Sequence, residues 1–193
     1  MMRIIKHIIV FCYNLFFRPN VRSYKTSIKA KLGRNVKICE NVEVDSETQI
    51  GKYTYVGQYT TITSAKIGNY CSIASFVKIG HGEHNLKKIS TNSIFYKNSF
   101  KELTKKKCEI GHDVWIGTDA IILRGVKIGN GSVIGANSLV NIDIPEYSVA
   151  VGSPVRIIKK RFENTKIAEI KKLEWWNYDY NEASDILNEF QND

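Results

Sequence analysis

Residues 110–140 of the 193-residue chain read IGHDVWIGTDAIILRGVKIGNGSVIGANSLV, with an aliphatic residue at every sixth position. A helix repeats its apolar positions every three or four residues and a strand alternates every two, so neither period fits this stretch. A period of six indicates a short strand followed by a turn, with one stiff β-branched side chain per strand pointing inward. Three such units form one coil of a triangular solenoid, of about 18 residues.

The same period extends upstream of this stretch, with one residue dropped after Ile62. Glycine follows many of the aliphatic residues, which predicts close backbone approach and an unusual φ at each corner. Asn69, Asn130 and Asn137 lie near corners, where asparagine tolerates left-handed backbone. The pattern therefore predicts a mainly β fold, a parallel β-helix. The aliphatic positions in register are Leu32, Ile38, Val44, Ile50, Val56, Ile62, Ile67, Ile73, Ile79, Ile110, Ile116, Ile122, Ile128, Ile134 and Val140.

The period predicts the domain limits as well. We assign residues 26–162 to the β-helix, with an inserted loop over residues 80–109 where the period fails. The loop contains two histidines, three aromatic residues and several lysines, and a long loop on a rigid scaffold is typically functional. Pro154 marks the end of the solenoid, because proline cannot continue a hydrogen-bonded ladder.

Residues 163–193 are predicted to form a C-terminal helical extension. Residues 164–173 place Ile167, Ile170 and Leu173 on one helical face, and a second short helix follows two tryptophans. We expect these helices to cover one end or one flank of the solenoid.

Residues 1–25 are an apolar segment with basic flanks. Ile4–Phe17 is mostly apolar, Arg3 precedes it and Arg18 follows it. The stretch is shorter than the about 20 residues of a transmembrane helix, and no small-x-small cleavage site follows it. Two interpretations stay open: an end cap of the solenoid, or a helix that contacts an anionic membrane surface through residues 3–25.

The composition narrows the class of partner. The formal net charge is +9, which suits nucleic acid, a membrane surface or a phosphorylated small molecule. No nucleic-acid-binding motif occurs, so we predict no such partner. The four cysteines show no C-x-x-C spacing, which favours reduced thiols and a cytoplasmic location, with the inner membrane face as the alternative.

Four further motifs carry a resemblance to a known family. These are GEHNLKKISTNSIFY, IGHDVWIG, AVGSPVRIIKKRF and LEWWNYD, all between Leu32 and the C-terminus. Together with the repeat they resemble the hexapeptide acyltransferase superfamily, and within it the xenobiotic acetyltransferase branch, which includes polysaccharide O-acetyltransferases. The resemblance implies a left-handed β-helix, although general rules favour right-handed crossovers. It also implies a homotrimer with each active site between two neighbouring chains.

Acyl transfer to a hydroxyl needs a base, and histidine suits neutral pH. The resemblance implies that His84 is this catalytic base, with His81 as its rival. Glu83 stands where the family usually has asparagine, and two interpretations stay open: as a catalytic residue it orients the imidazole, or it faces solvent. His112 also replaces an asparagine, and we interpret it as a corner residue.

The resemblance further implies acetyl-CoA as the acyl donor and no metal. Trp115 is expected beside the pantetheine arm or the acceptor. A basic turn is expected near the CoA phosphates, because cationic side chains bind phosphate. The residues predicted to bind the cofactor are Trp115, Gly117, Gly135, Ala136, Pro154, Lys159 and Arg161.

The predicted function is acetyl transfer to a hydroxyl by direct attack, without an acyl-enzyme. The expected acceptor is a hydroxyl-bearing sugar of a bacterial surface polysaccharide or of its precursor. The alternatives are O-acetylation of an antibiotic, N-acetylation of a nucleotide-linked amino sugar, and a non-enzymatic β-helix scaffold. A γ-type carbonic anhydrase would need zinc histidines at H-x-x-x-x-H spacing, which this sequence lacks.

Overall fold

The chain folds as a left-handed parallel β-helix in the computed structural model, which describes residues 2–192. The predicted fold class is thus confirmed. The strands form three faces, and each corner is named by the two faces that the chain connects there. Face 1 contains β1 (Lys31–Leu32), β4 (Gln49–Ile50), β7 (Ala65–Ile67), β10 (Cys108–Ile110) and β13 (Lys127–Ile128); face 2 contains β2 (Lys37–Ile38), β5 (Tyr55–Val56), β8 (Ser72–Ile73), β11 (Trp115–Ile116), β14 (Val133–Ile134), β16 (Ser148–Val151) and β17 (Arg156–Lys160); face 3 contains β3 (Glu43–Val44), β6 (Thr61–Ile62), β9 (Lys78–Ile79), β12 (Ile121–Ile122) and β15 (Leu139–Val140).

The core is a column of stacked aliphatic side chains inside the three faces. Ile116 on β11 aligns with Ile73 on β8 and with Ile134 on β14, and all three are fully buried. Each strand is only two residues long in most coils, so one inward side chain per strand repeats every six residues. This geometry explains the period seen in the sequence.

The corners differ from the prediction in one respect. Most glycines that follow the aliphatic residue do not adopt positive φ; they are needed because the next coil passes close by. A Cβ on Gly117 would lie 2.6 Å from the Ala136 nitrogen. Positive φ falls two residues later, as at Asp113 and at Asn137. Asn130 does not adopt positive φ. Its Oδ1 instead accepts a hydrogen bond from the His112 N–H at 2.8 Å.

Helix α1 (Met2–Phe17) lies at the N-terminal end of the solenoid. Bridges from Val21 and Thr26 to the first full coil extend faces 2 and 3, so the ladder begins before the predicted boundary at residue 26. Asn14 of α1 is buried and donates to the Ser23 carbonyl at 3.0 Å. None of the helices within residues 2–192 is long and apolar enough to cross a membrane.

The inserted loop leaves face 3 after β9 and returns at β10 on face 1. It contains a 3₁₀ turn at Ser93–Phe95 and the short helix α2 (Ser99–Leu103), each capped by an asparagine side chain, Asn92 and Asn98. The loop therefore has internal order of its own above corner 3–1.

The predicted C-terminal helices are confirmed as α3 (Asn164–Leu173) and α4 (Tyr180–Asn192), joined by a 3₁₀ turn at Trp175–Asn177. They cover corner 1–2. There Trp175 packs against Tyr70, and Trp176 stacks on His112 with ring centroids 5.5 Å apart. Before them β17 pairs antiparallel with β16, so the ladder turns back on itself around Pro154.

Candidate active site

The root of the inserted loop is organised by Arg124, which follows β12 at corner 3–1. Its side chain is buried and donates from Nη1 to the carbonyls of Ser64 and Lys106, at 3.1 and 3.0 Å. Its Nε reaches the His81 carbonyl at 3.4 Å. One guanidinium thus joins the chain leaving the solenoid, the chain returning to it and the coil below. Nothing in the sequence singles out this residue, because an arginine in a turn ordinarily faces water.

His84 lies on the exposed surface of the loop with its ring held in one orientation. Its Nδ1 lies 2.5 Å from the Thr91 carbonyl oxygen. Since a carbonyl can only accept, Nδ1 carries a hydrogen, and in the neutral ring the lone pair is then on Nε2. Tyr96 is buried behind this contact; its hydroxyl donates to the same carbonyl at 3.2 Å and accepts from the Asn85 N–H at 2.9 Å. The basic nitrogen of His84 is therefore held ready to accept a proton.

The structure does not place Glu83 on the imidazole of its neighbour. The Glu83 carboxylate accepts a hydrogen bond from the Arg124 backbone N–H at 3.2 Å, and its own N–H donates to the Leu103 carbonyl at 3.0 Å. Glu83 thus ties the loop to the coil, whereas the Thr91 carbonyl orients His84.

His81, the rival base, is held against face 3. Its Nε2 lies 2.7 Å from the Thr61 hydroxyl. Burial, followed by the charges of Lys78 and Arg124, lowers the pKa of His81 below its usual value. This ring nitrogen is already engaged within the chain.

The predicted CoA-binding glycines form one column along corner 2–3. Gly117 and Gly135 follow face 2 strands of adjacent coils, and Ala136 lies directly above Gly117. Pro154 comes shortly after the next strand of the same face. Trp115 lies on the outer surface of face 2 and is 55% exposed. The structure therefore brings these five residues to one edge of the solenoid.

The two cations predicted to bind the CoA phosphates, Lys159 and Arg161, have different surroundings. Lys159 is exposed on β17 opposite Val149, in the same row of face 2 as Trp115. Arg161 is turned to corner 1–2, where Nη1 donates to the Gly131 carbonyl at 2.6 Å and to the Asp113 carboxylate at 3.3 Å. Burial raises the pKa of Asp113, and the charge of Arg161 acts in the opposite direction.

The two halves of the predicted site lie at different corners of one chain. His84 projects from corner 3–1, whereas Trp115 and the glycine column occupy face 2 and corner 2–3. Face 3 lies between them. Within residues 2–192 no hydrogen bond joins His84 to the predicted CoA-binding residues.

The two buried cysteines are unsuited to nucleophilic chemistry. Burial raises the pKa of the Cys71 thiol to about 12 and also raises that of Cys108, so neither presents a thiolate at neutral pH. No group of three or more histidine, cysteine, aspartate or glutamate side chains in the described part of the chain could hold a metal ion.

His112 has a structural environment instead of a catalytic one. Its Nδ1 accepts a hydrogen bond from the Asn69 N–H at 2.9 Å, and its ring stacks on Trp176. Burial and then the charge of Lys66 lower the pKa of His112. The neutral ring is thus the form that fits between the coil and the C-terminal helices.

We predict that His112 makes the protein less stable as the pH falls. The unfolded chain binds a proton at this residue near pH 6.5, whereas the folded chain resists it, so the stability is present above that pH and is lost below it. His112→Asn should reduce the loss between pH 7.5 and pH 5.5 in urea unfolding, because an amide oxygen can still accept from Asn69. Part of the loss should persist through His81. An unchanged pH dependence in this variant, with His7→Asn as the control, would show that His112 has no such role.

The comparisons with known proteins agree with the repeat. Residues 107–141 match the family model of the bacterial transferase hexapeptide (six repeats). The chain is 39% identical over 123 residues to a chloramphenicol acetyltransferase of Morganella morganii, an alignment of 58% of this chain and 59% of that protein. The chain thus spans about three fifths of the length of the chloramphenicol acetyltransferases that it matches.

Two further relatives are covered over a larger share of their length. A probable macrolide acetyltransferase of Lysinibacillus sphaericus is 38% identical over 132 residues, which are 63% of this chain and 73% of that protein. The solved structure of a galactoside acetyltransferase in complex with coenzyme A is 30% identical with a TM-score of 0.54, over 72% of this chain and 68% of that one. Given this coverage and the repeat itself, the chain belongs to the hexapeptide-repeat acyltransferase superfamily.

Proposed function

We propose that this protein transfers an acetyl group from acetyl-CoA to a hydroxyl group of a sugar, with His84 as the general base. The observation that carries the proposal is the contact between His84 Nδ1 and the Thr91 carbonyl on an exposed loop, which in the neutral ring assigns the lone pair to Nε2. A fixed tautomer with an outward lone pair is what a general base requires.

In the proposed reaction His84 Nε2 takes the proton of the acceptor hydroxyl. The oxygen attacks the thioester carbonyl and forms a C–O bond, and the carbonyl oxygen becomes an oxyanion. When this intermediate collapses, the C–S bond breaks and the departing sulfur receives the proton from His84. The products are the acetyl ester and CoA, without an acyl-enzyme, in keeping with the buried, high-pKa thiol of Cys71.

The column at corner 2–3 is the proposed site for the pantetheine arm. Gly117 and Gly135 pack their backbone directly against the next coil, and Trp115 offers a large exposed ring beside this corner. Lys159 is the proposed cation for a CoA phosphate, while Arg161 holds Asp113 and the Gly131 carbonyl and supports the turn.

Because face 3 separates His84 from this column, we place each reaction site between two copies of the chain. One copy supplies the loop histidine and its neighbour supplies the corner that holds acetyl-CoA. A closed homotrimer satisfies this arrangement three times over.

The sugar acceptor is supported by the galactoside acetyltransferase among the similar structures. A surface polysaccharide or its precursor is the specific class that we propose. The chloramphenicol and macrolide acetyltransferases among the relatives favour an antibiotic hydroxyl as the second candidate. Exposed loop residues such as Ile94 and Phe95 could contact either ligand.

The test is acetyl-CoA consumption in the presence of a thiol reagent. We would offer oligosaccharides of surface polysaccharides, nucleotide-linked amino sugars, chloramphenicol and streptogramin A, and measure acetyl-CoA binding separately by calorimetry. We expect CoA release that depends on a sugar hydroxyl. Release with chloramphenicol or streptogramin alone would support the second candidate, and failure to bind acetyl-CoA at all would favour a non-enzymatic scaffold.

A further inference from the structure

Helix α1 has one face turned to the solenoid. Val10 is 7% exposed and Asn14 is 2% exposed, and the Asn14 amide is bonded to the Ser23 carbonyl. The His7 ring lies 4.9 Å from the Tyr24 ring on the same side. These contacts fix the rotation of the helix about its axis.

The opposite face of α1 is apolar and exposed. Ile5, Ile8, Ile9, Cys12 and Phe16 are spaced by three or four residues and therefore form a single stripe. The isoleucines are about half exposed and Phe16 is 76% exposed. A helix on the surface of a soluble domain ordinarily turns polar residues outward, so a contiguous apolar stripe marks an interaction site.

The first coil extends this apolar surface. Tyr24 and Ile28 are exposed and line one groove together with Ile5 and Ile9. A surface built from two separate elements is less easily explained as a chance run of apolar residues in one helix.

Basic residues lie at the rim of the groove. Lys29 is exposed and has no acidic partner among residues 2–192, whereas Lys25 pairs with Glu43 at 3.0 Å. The other carboxylate at the groove, Asp45, accepts hydrogen bonds from the Thr48 hydroxyl and the Ser64 N–H. The formal charges at the groove therefore cancel, but Lys29 forms no ion pair with the described carboxylates, and the whole chain has a net charge of +9.

We infer that the outer face of α1 binds the surface of a bilayer that contains anionic lipid. With 16 residues α1 is about 24 Å long, less than the about 30 Å of the hydrocarbon core, so it lies in the plane of the interface. The stripe enters the boundary of headgroups and acyl chains, and Lys29 contacts lipid phosphates. A second copy is a poorer occupant, because each chain has a net charge of +9 and two such chains repel each other.

The experiment is cosedimentation of the full-length protein with vesicles. Vesicles of phosphatidylcholine with about one-third phosphatidylglycerol are compared with pure phosphatidylcholine. The variant Ile8→Gln/Phe16→Gln keeps good helix formers at exposed positions, and Ile89→Gln/Phe95→Gln changes the same residue types at exposed sites in the loop. Circular dichroism and thermal unfolding confirm that each variant is folded.

We expect the wild type and the loop variant to bind anionic vesicles, and the α1 variant to bind at least about tenfold more weakly. Binding to pure phosphatidylcholine should be weaker, and high salt should reduce anionic binding. Equal sedimentation of the wild type and the α1 variant would overturn the inference. So would absence of binding to either vesicle, or a change in oligomer mass in the α1 variant without any vesicle binding. Acetyl-CoA plays no part in this assay, so its outcome is independent of the proposed reaction.

Discussion

Replacing His84 with alanine is expected to lower the rate of acetyl transfer by about 10²–10⁴-fold, the range that general acid–base catalysis contributes. The variant loses the lone pair of Nε2 while the loop around it persists. Tyr96 remains buried, and its hydroxyl still bonds the Thr91 carbonyl and the Asn85 N–H. The loss should therefore fall on turnover, with little change in acetyl-CoA affinity.

The measurement is initial CoA release under saturating acetyl-CoA, beside calorimetric binding of acetyl-CoA to both proteins. His81→Asn is the matched control, because it changes the other loop histidine, whose ring is held by Thr61. We expect this control to keep most of the activity. If His84→Ala keeps the rate of the wild type, His84 is not the base; if His81→Asn alone abolishes turnover, the assignment of the two histidines must be exchanged.

Most of the solenoid could be predicted because one short-range rule repeats in the sequence. Each hexapeptide places one aliphatic residue inside, so residues such as Ile73, Ile116 and Ile134 revealed the strands without any knowledge of distant contacts. The first partial coil was harder, because Val21 and Thr26 join the ladder without the aliphatic–glycine pattern. The corner φ was misplaced because the glycine serves close approach, and the left-handed turn comes later, as at Asp113.

Residues of the candidate site could be predicted only where they belong to a motif of the family. His84 belongs to such a motif, but its partner does not, since the Thr91 carbonyl reaches it through the fold of the loop itself. The position of Glu83 shows the same limit: the motif left open whether it orients His84 or faces solvent, whereas its carboxylate turns to the Arg124 backbone. Contacts between a loop and the coil that it returns to depend on tertiary structure, which periodicity does not encode.

Arg124→Met is expected to destabilise the protein and to reduce activity together. The methionine fills a similar volume but cannot donate to the carbonyls of Ser64 and Lys106, which the guanidinium now satisfies at a buried site. Each of the two carbonyls left without a donor costs about 1–3 kcal/mol, so we expect the free energy of unfolding to fall by about 2–6 kcal/mol. Looser anchoring of the loop should also lower turnover, because His84 is held only through that loop.

Urea unfolding, turnover and hydrogen exchange of the loop amides would separate the two effects of Arg124→Met. Arg22→Met is the control, since that arginine is exposed and forms only a surface pair with Glu40; it should change stability by less than about 1 kcal/mol. Arg124→Lys keeps the charge but not the planar donor array, so it should restore little. Faster exchange over residues 80–107 with reduced turnover is the result that a positioning role demands. Lowered stability with full turnover would instead show that Arg124 only stabilises the coil. The orientation of His84 would then depend on contacts within the loop alone.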